Sequence, residues 1–182
     1  MPARCDLWRM RRRHAAEDAR LLVLSRLSSA VLISGAAGRS TRLTRHGIIG
    51  IATDNGITLV HVSSDYVYDG TSQTPYTETD PIAPLGVYGQ TKAAGDQIVA
   101  TVPRHYIIRT SWVIGDGHNF VRTMASLAER GIDPTVVADQ TGRLTFTTDI
   151  AAGIRHLVDT GAPHGTYNLT GSGQPTTWYH IA

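Results

Sequence analysis

Cysteine is all but missing. Cys5 is the only one among 182 residues. That excludes an internal disulfide framework and any cysteine-cluster metal site, and it fits a reducing, cytoplasmic setting. Long apolar runs are missing as well. The stretch from Leu21 to Gly38 is interrupted by Ser25, Arg26, Ser28 and Ser29, so nothing approaches the roughly 20 residues of a membrane span. There is no internal repeat and no low-complexity tract. Charged residues make up 18% of the chain and hydrophobic ones 41%. That balance is globular, and a chain of this length can bury one core.

Acidic residues are scarce at the start. Residues 1–46 carry ten Arg against three acids, a charge of +7, whereas residues 47–182 carry seven Lys or Arg against twelve acids, or −5. The basic excess lies wholly in an atypical leader, residues 1–46, which reads as poorly ordered or misassigned; the domain proper is 47–182. An Arg-rich leader suggests a nucleic-acid arm or a transit peptide. Apart from Trp8 it lacks interleaved aromatics, which argues against a nucleic-acid partner.

What is present centres on residues 59–92. Leu59 to Ser63 is a buried strand by its β-branched and apolar content. Tyr88 and Lys92 stand four apart, so on a helix they share one face. A phenol, an ammonium and a hydroxyl from Ser63 or Ser64 make a set that handles protons. The ammonium stabilises the phenolate form, and the hydroxyl holds a carbonyl oxygen. Such a set suits carbonyl reduction or its reverse, with the hydride drawn from a cofactor. The segment VLISGAAG, residues 31–38, looks like the strand and glycine turn that open a dinucleotide-binding unit. Gly35 and Gly38 are its candidate cofactor-binding glycines, although Thr41 stands where a third glycine belongs.

In chain order, Leu21 to Leu27 reads as a short helix or strand, and Gly47 to Asn55 as a helix. Ile57 to Ser63 reads as a strand, and residues 65–86 as a long loop of functional type. A helix from about Gly86 to Val102 shows Val87, Ala93, Ala94, Ile98 and Val99 as its apolar side. His105 to Val113 is a strand, Asn119 to Arg130 a helix stopped by Gly131, and Thr135 to Ala138 a short strand. Thr147 or Thr148 caps the next helix, Gly161 closes it, and Gly165 to Thr170 is a last strand. Thr176 or Thr177 caps a helix from Trp178. Alternation of this kind predicts an α/β fold, a Rossmann-like parallel sheet with flanking helices. Sites in such sheets lie beyond the carboxyl ends of the strands, where Ser63, Ser64 and Thr110-Ser111-Trp112 fall.

Six ordered segments carry a family resemblance: HVSSDYVYDG, PYTETDPIAPLGVYGQTKAAGDQ, IIRTSWVIG, NFVRTMASLAERG, VVADQTGRLTFTTDIA and GTYNLTGSGQPTTWYHIA. Together they span about residues 57–182. The chain resembles the dTDP-4-dehydrorhamnose reductases, extended short-chain dehydrogenase/reductases of the sugar-nucleotide branch. The resemblance implies reduction of the C4 ketone of dTDP-4-dehydro-L-rhamnose with NADPH, or NADH in some members. It places the catalytic trio on Ser64, Tyr88 and Lys92, and cofactor binding on Ser63, Tyr88 and Lys92. Tyr66, Trp112 and Asn119 match positions beside the sugar nucleotide. The bland alternatives are packing for Tyr66 and Trp112 and a helix cap for Asn119. His61, flanked by valines, reads as a satisfied interior group. Some members bind magnesium, for which no ligand cluster with usable spacing is present. The dTDP-sugar is the implied partner, no nucleic acid or membrane is, and a homodimer is an allowed assembly.

The departures from the family have weight. Gly35 lies only 29 residues before Ser64, too close for the strands and helices that complete a cofactor domain. Leu144 replaces a proline usual in DQxGxPT. The chain therefore reads as the middle and part of the C-terminal half of a reductase, including part of its substrate-binding region. Activity lost through truncation, or a non-catalytic sugar-nucleotide-binding or regulatory subunit, are the competing expectations. A related epimerase or dehydratase is a third. A dehydratase needs an added acid pair, which Ser64-Asp65-Tyr66 does not supply.

Overall fold

The computed structural model describes residues 21–24 and 45–182. The glycine pair Gly35 and Gly38 lies outside the described residues. Strand β1, Leu21–Leu24, precedes helix α1, Arg45–Asp54, and strand β2, Thr58–Ser64. Helix α2 spans Val87–Val99, and strand β3 spans His105–Thr110. Short strand β4, Val113–Ile114, leads to helix α3, Phe120–Glu129. Then come β5, Thr141–Gly142; β6, Thr145–Phe146; and helix α4, Thr147–Thr160. Strand β7, Gly165–Asn168, β8, Thr176–Thr177, and helix α5, Trp178–Ile181, complete the order.

Among the described residues the main sheet is parallel, in the order β1-β2-β3-β7. β2 reads as a continuous apolar run because both its faces are covered. On one face Leu59 and Ile107 pack with Ile48 and Ala52 of α1 and with Val99 of α2. On the other, Val60, Tyr106 and Ile108 meet Ile150, Ile154 and Leu157 of α4. Helices on both faces of a parallel sheet give the expected Rossmann-like α/β architecture. The register pairs Ser63 with Arg109 and Ser64 with Thr110. The two strands thus end level, and their last residues share one rim.

Several boundaries differ from the sequence-based expectation. The strand from His105 stops at Thr110. Trp112 then takes a left-handed φ of 39°, a conformation no ladder accommodates. Thr135 to Ala138 is no strand; it follows Pro134 as a mostly exposed segment without a ladder partner among the described residues. Neither Thr147 nor Thr148 caps α4, because Phe146 holds the N-cap position and both threonines are helical. The α2 face also differs. Val87 is 75% exposed and Ala94 is exposed, while Gly89, Lys92, Ala93, Asp96 and Val99 are buried. Two charged residues occupy the buried stripe, so counting apolar residues alone misplaces it.

Candidate active site

β2 delivers the first candidate group. Ser64 remains extended at φ −147° and caps the single 3-10 turn Asp65–Val67, its hydroxyl accepting from the Tyr66 amide at 3.3 Å. The same hydroxyl donates to Asp65 Oδ1 at 3.1 Å. Burial pushes the Asp65 carboxyl above its ordinary range, against the lowering pull of that bond. Val67 is fully buried and pins the turn. The long loop beyond is organised by Tyr68 stacked on Tyr76, centroids 4.4 Å apart and planes within 3°.

α2 delivers the second and third groups. Gly89 lets the helix start close to that turn: a Cβ there would strike the Tyr66 carbonyl oxygen and stand 2.9 Å from Pro84 Cβ. Tyr88, 56% exposed, faces outward beside Tyr66, whose ring meets it edge-on at 5.9 Å. Lys92, one turn on, is 8% exposed. Its ammonium donates to the Val62 carbonyl at 3.1 Å and lies 5.8 Å from the Tyr88 ring centroid. Burial pushes the Lys92 amine down, and the charge of Asp96 pulls it back up. Lys92 is also the only lysine in the sequence. The Tyr66 phenol is pushed up by burial and then by Asp65 and Tyr88.

A second group of aromatics lies beside the first. Trp112 is stacked on Trp178 at 3.8 Å, and Phe120 leans on Trp178 at 4.4 Å. Trp112 is 9% exposed, and a Cβ at Gly142 would come within 2.7 Å of its indole. Protein therefore covers most of the surface expected to meet a sugar, and Trp178 is the half-buried outer member of the stack. Gln140 ties the two groups together: its Oε1 accepts from Trp178 Nε1 at 3.2 Å and, at 3.5 Å, from the Tyr66 hydroxyl. Asn119 is committed as the α3 cap. Its Oδ1 accepts from the Arg122 amide, and its Nδ2 donates to the Gly115 and Gly117 carbonyls.

A buried polar cluster underlies the rim. Arg109 Nε donates to Asp96 Oδ2 at 3.0 Å, and His61 Nε2 stands 3.4 Å from Asp96 Oδ1 without forming an aligned hydrogen bond. His61 is thus interior as expected but not satisfied, since neither ring nitrogen has a partner among the described residues. Burial raises the Asp96 carboxyl, but the pull of His61, Ser63 and Arg109 outweighs it and leaves the group below its ordinary range. Ser63, 3% exposed, belongs to this cluster. Arg109 Nη1 also donates to the Tyr68 hydroxyl at 2.8 Å. Asn168 of β7 is tied to the loop by its Oδ1, 3.0 Å from that hydroxyl, and by Nδ2 donating to the Tyr76 carbonyl at 2.9 Å.

The structure therefore brings Ser64, Tyr66, Tyr88 and Lys92 together, with Trp112 joined to them through Trp178 and Gln140. Sequence reasoning gave no role to Asp96, Arg109, Gln140 or Trp178. Asp96 had one available signal, its i+4 position from Lys92 on the same helix; Gln140 had none, because its partners lie 74 and 38 residues away. An exposed phenol backed by a buried ammonium can give a proton to an oxygen placed beside it, and a nearby hydroxyl can hold that oxygen.

Residues 43–182 match the family model described as the RmlD substrate binding domain. The chain belongs to that family. Relatives of this RmlD-family chain include the dTDP-4-keto-6-deoxy-D-glucose reductase of Streptomyces niveus, 39% identical over 158 residues, which are 85% of this chain and 52% of the relative. The dTDP-4-dehydrorhamnose reductase of Burkholderia thailandensis is 38% identical over 159 residues, 81% of this chain and 53% of the relative. Among solved structures, the dTDP-4-dehydrorhamnose reductase of Clostridium acetobutylicum superimposes with a TM-score of 0.71 at 37% identity, covering 75% of this chain and 49% of that one. That of Bacillus anthracis, in complex with NADP, gives 0.70 at 34% identity with the same coverages. The RmlD-family chain spans about half the length of the curated relatives it matches.

Proposed function

We propose that this RmlD-family chain carries the catalytic segment of a reductase that converts the C4 ketone of dTDP-4-dehydro-L-rhamnose to the alcohol of dTDP-L-rhamnose in the cytoplasm. One observation carries the reading: the exposed phenol of Tyr88 has the buried ammonium of Lys92 5.8 Å from its ring and lies edge-on to Tyr66, two residues past Ser64 at the end of β2. A nicotinamide cofactor, NADPH or NADH, supplies the hydride when bound. The residues present fit its ribose side. Among the described residues Lys92 makes a single hydrogen bond, to the Val62 carbonyl, and an ammonium has three donors. Magnesium has no comparable support: among the described residues no three His, Cys, Asp or Glu cluster so as to hold a metal ion.

In this reading Ser64 turns its hydroxyl from Asp65 to the ketone oxygen and fixes it beside Tyr88. Tyr88 gives its proton to that oxygen as the carbonyl carbon is reduced. The ammonium of Lys92 stabilises the negative charge that develops on the phenol oxygen. Tyr66 and Trp178 form the apolar side of the sugar site, Trp112 supports Trp178 from beneath, and Asn119 shapes the adjoining loop. Tyr88→Phe removes the proton and is expected to lower the turnover of NADPH with the dTDP-4-keto sugar by about 10²- to 10⁴-fold. Equal turnover by the two proteins would remove Tyr88 from the mechanism.

The aromatic group favours a second reading, a non-catalytic sugar-nucleotide-binding subunit. Trp112, Trp178 and Phe120 could hold a sugar without any chemistry. Titration with NADPH, followed by cofactor fluorescence, separates the two. Saturable binding supports the reductase, and its absence supports the subunit.

A further inference from the structure

Asp96 lies four residues beyond Lys92 on α2, 2% exposed, so the two side chains leave the helix on the same buried face. The carboxylate is held by Arg109 of β3 through Nε at 3.0 Å, and His61 of β2 stands beside it at 3.4 Å without an aligned hydrogen bond. Val62, whose carbonyl receives the Lys92 ammonium, directly follows His61. The strand atoms that hold Asp96 and the one that holds Lys92 are thus on one short piece of rigid sheet. A buried carboxylate clamped to the sheet fixes the rotation and height of α2, and with them the place of Nζ. No described residue of opposite charge other than Asp96 shifts the Lys92 amine.

We propose that Asp96 is the positioning residue of Lys92: its carboxylate, gripped by Arg109 and packed beside His61, seats α2 on the sheet so that the ammonium sits against the Val62 carbonyl behind Tyr88. The catalytic meaning of this assignment rests on the reductase reading; the geometry does not. Asp96 touches neither substrate nor cofactor and acts through Lys92. The charged and titratable groups around the pair are Tyr88 on α2 itself, His61 from β2, Arg109 from β3, and Asp65 and Tyr66 from the turn against which α2 packs. The Asp96 carboxylate supports the ammonium against the cost of its burial.

Because Lys92 is the only lysine, protein grown on lysine labelled with carbon-13 gives a single side-chain Cε signal whose pH titration reads this one amine. The expected result is a lower titration midpoint in Asp96→Asn and a midpoint close to the parent value in Asp96→Glu. A merely structural role for Asp96 would not lower the midpoint in Asp96→Asn and restore it in Asp96→Glu. If Asp96→Asn does not fold, Arg109→Gln serves instead: it releases the carboxylate, and the Lys92 Cε signal is expected to move from its parent chemical shift. An unchanged midpoint in a folded Asp96→Asn, or an unchanged Cε shift in a folded Arg109→Gln, overturns the assignment. In turnover assays Asp96→Asn is expected to lose about 10²-fold in kcat, largely restored in Asp96→Glu. A parent chain that titrates as described but reduces no dTDP-4-keto sugar overturns the reductase reading and leaves the assignment of Asp96 standing.

Discussion

Position 65 holds a carboxylate where the surroundings oppose its charge. Asp65 is half-buried, and its carboxyl is raised by burial despite the Ser64 hydroxyl. A carboxyl raised in the folded state contributes stability that is complete below the unfolded value of 3.8 and is lost as pH rises through the folded one. At neutral pH Asp65 therefore costs stability. Asp65→Asn keeps an acceptor for Ser64 and removes the charge, so the melting temperature is expected to rise at neutral pH and to change little in acid. A lower melting temperature at neutral pH would contradict this account. Trp112 is the other strained position, a large side chain at a left-handed φ of 39°. Backbone outliers of this kind gather at functional sites, and this one ends β3 beside the rim. Its strain was invisible in the sequence, because nothing local marks a tryptophan for φ above zero.

Among the elements, α2 does the most. Its first turn lies against the Asp65–Val67 turn only because residue 89 is glycine. Gly89→Ala drives a methyl into backbone and is expected to cost about 1–3 kcal/mol in urea unfolding, with turnover falling as Tyr88 moves. Unchanged stability would show that the helix has room to retreat. On the opposite side of the sheet, Ile108 is fully buried against α4. Ile108→Ala should cost about 2–5 kcal/mol in the same experiment, with the smaller figure expected if α4 closes the gap. The helices were legible from periodicity and glycine stops, as at Gly131 and Gly161, both with positive φ. The buried stripe of α2 was not. A hydrophobic pattern cannot show that Lys92 and Asp96 face inward, because their partners come from strands distant in the sequence. Thr135 to Ala138 failed for the complementary reason: β propensity gives no strand where no neighbour offers a ladder.

At the scale of the whole molecule, the pH response is set by charges buried under the rim. Asp96 has a lowered carboxyl. Its contribution to stability is complete above 3.8 and disappears as pH falls through the lower folded value. Lys92 has a lowered amine, so the cost of burying its charge is relieved as pH rises from the folded value to 10.5. Urea unfolding is therefore expected to show stability falling on the acid side of 3.8. Toward alkaline pH the Lys92 contribution rises while the raised phenols of Tyr66 and Tyr106 pull the other way, so the Lys92 part is read as the difference between parent and Lys92→Met. A Lys92→Met protein with the alkaline limb unchanged would assign the response to another group. The parallel sheet and the rim on which the groups meet were readable from the alternation of strands and helices, because strand ends in such a sheet converge whatever their spacing in sequence. The cluster of His61, Asp96, Arg109 and Tyr68 beneath was not.

Asn168 has a consequence for how the protein is made. It holds the Tyr68–Tyr76 end of the long loop through bonds that span 100 and 92 residues, and its backbone N–H donates to the Glu78 carboxylate across 90. Contacts that distant form late. A growing chain on the ribosome will have completed Ser64, Tyr88 and Lys92 long before β7 emerges, yet the loop between them has no anchor until it does. Released chains that end before Gly165 should be cut by protease within residues 69–80, and the full chain should resist.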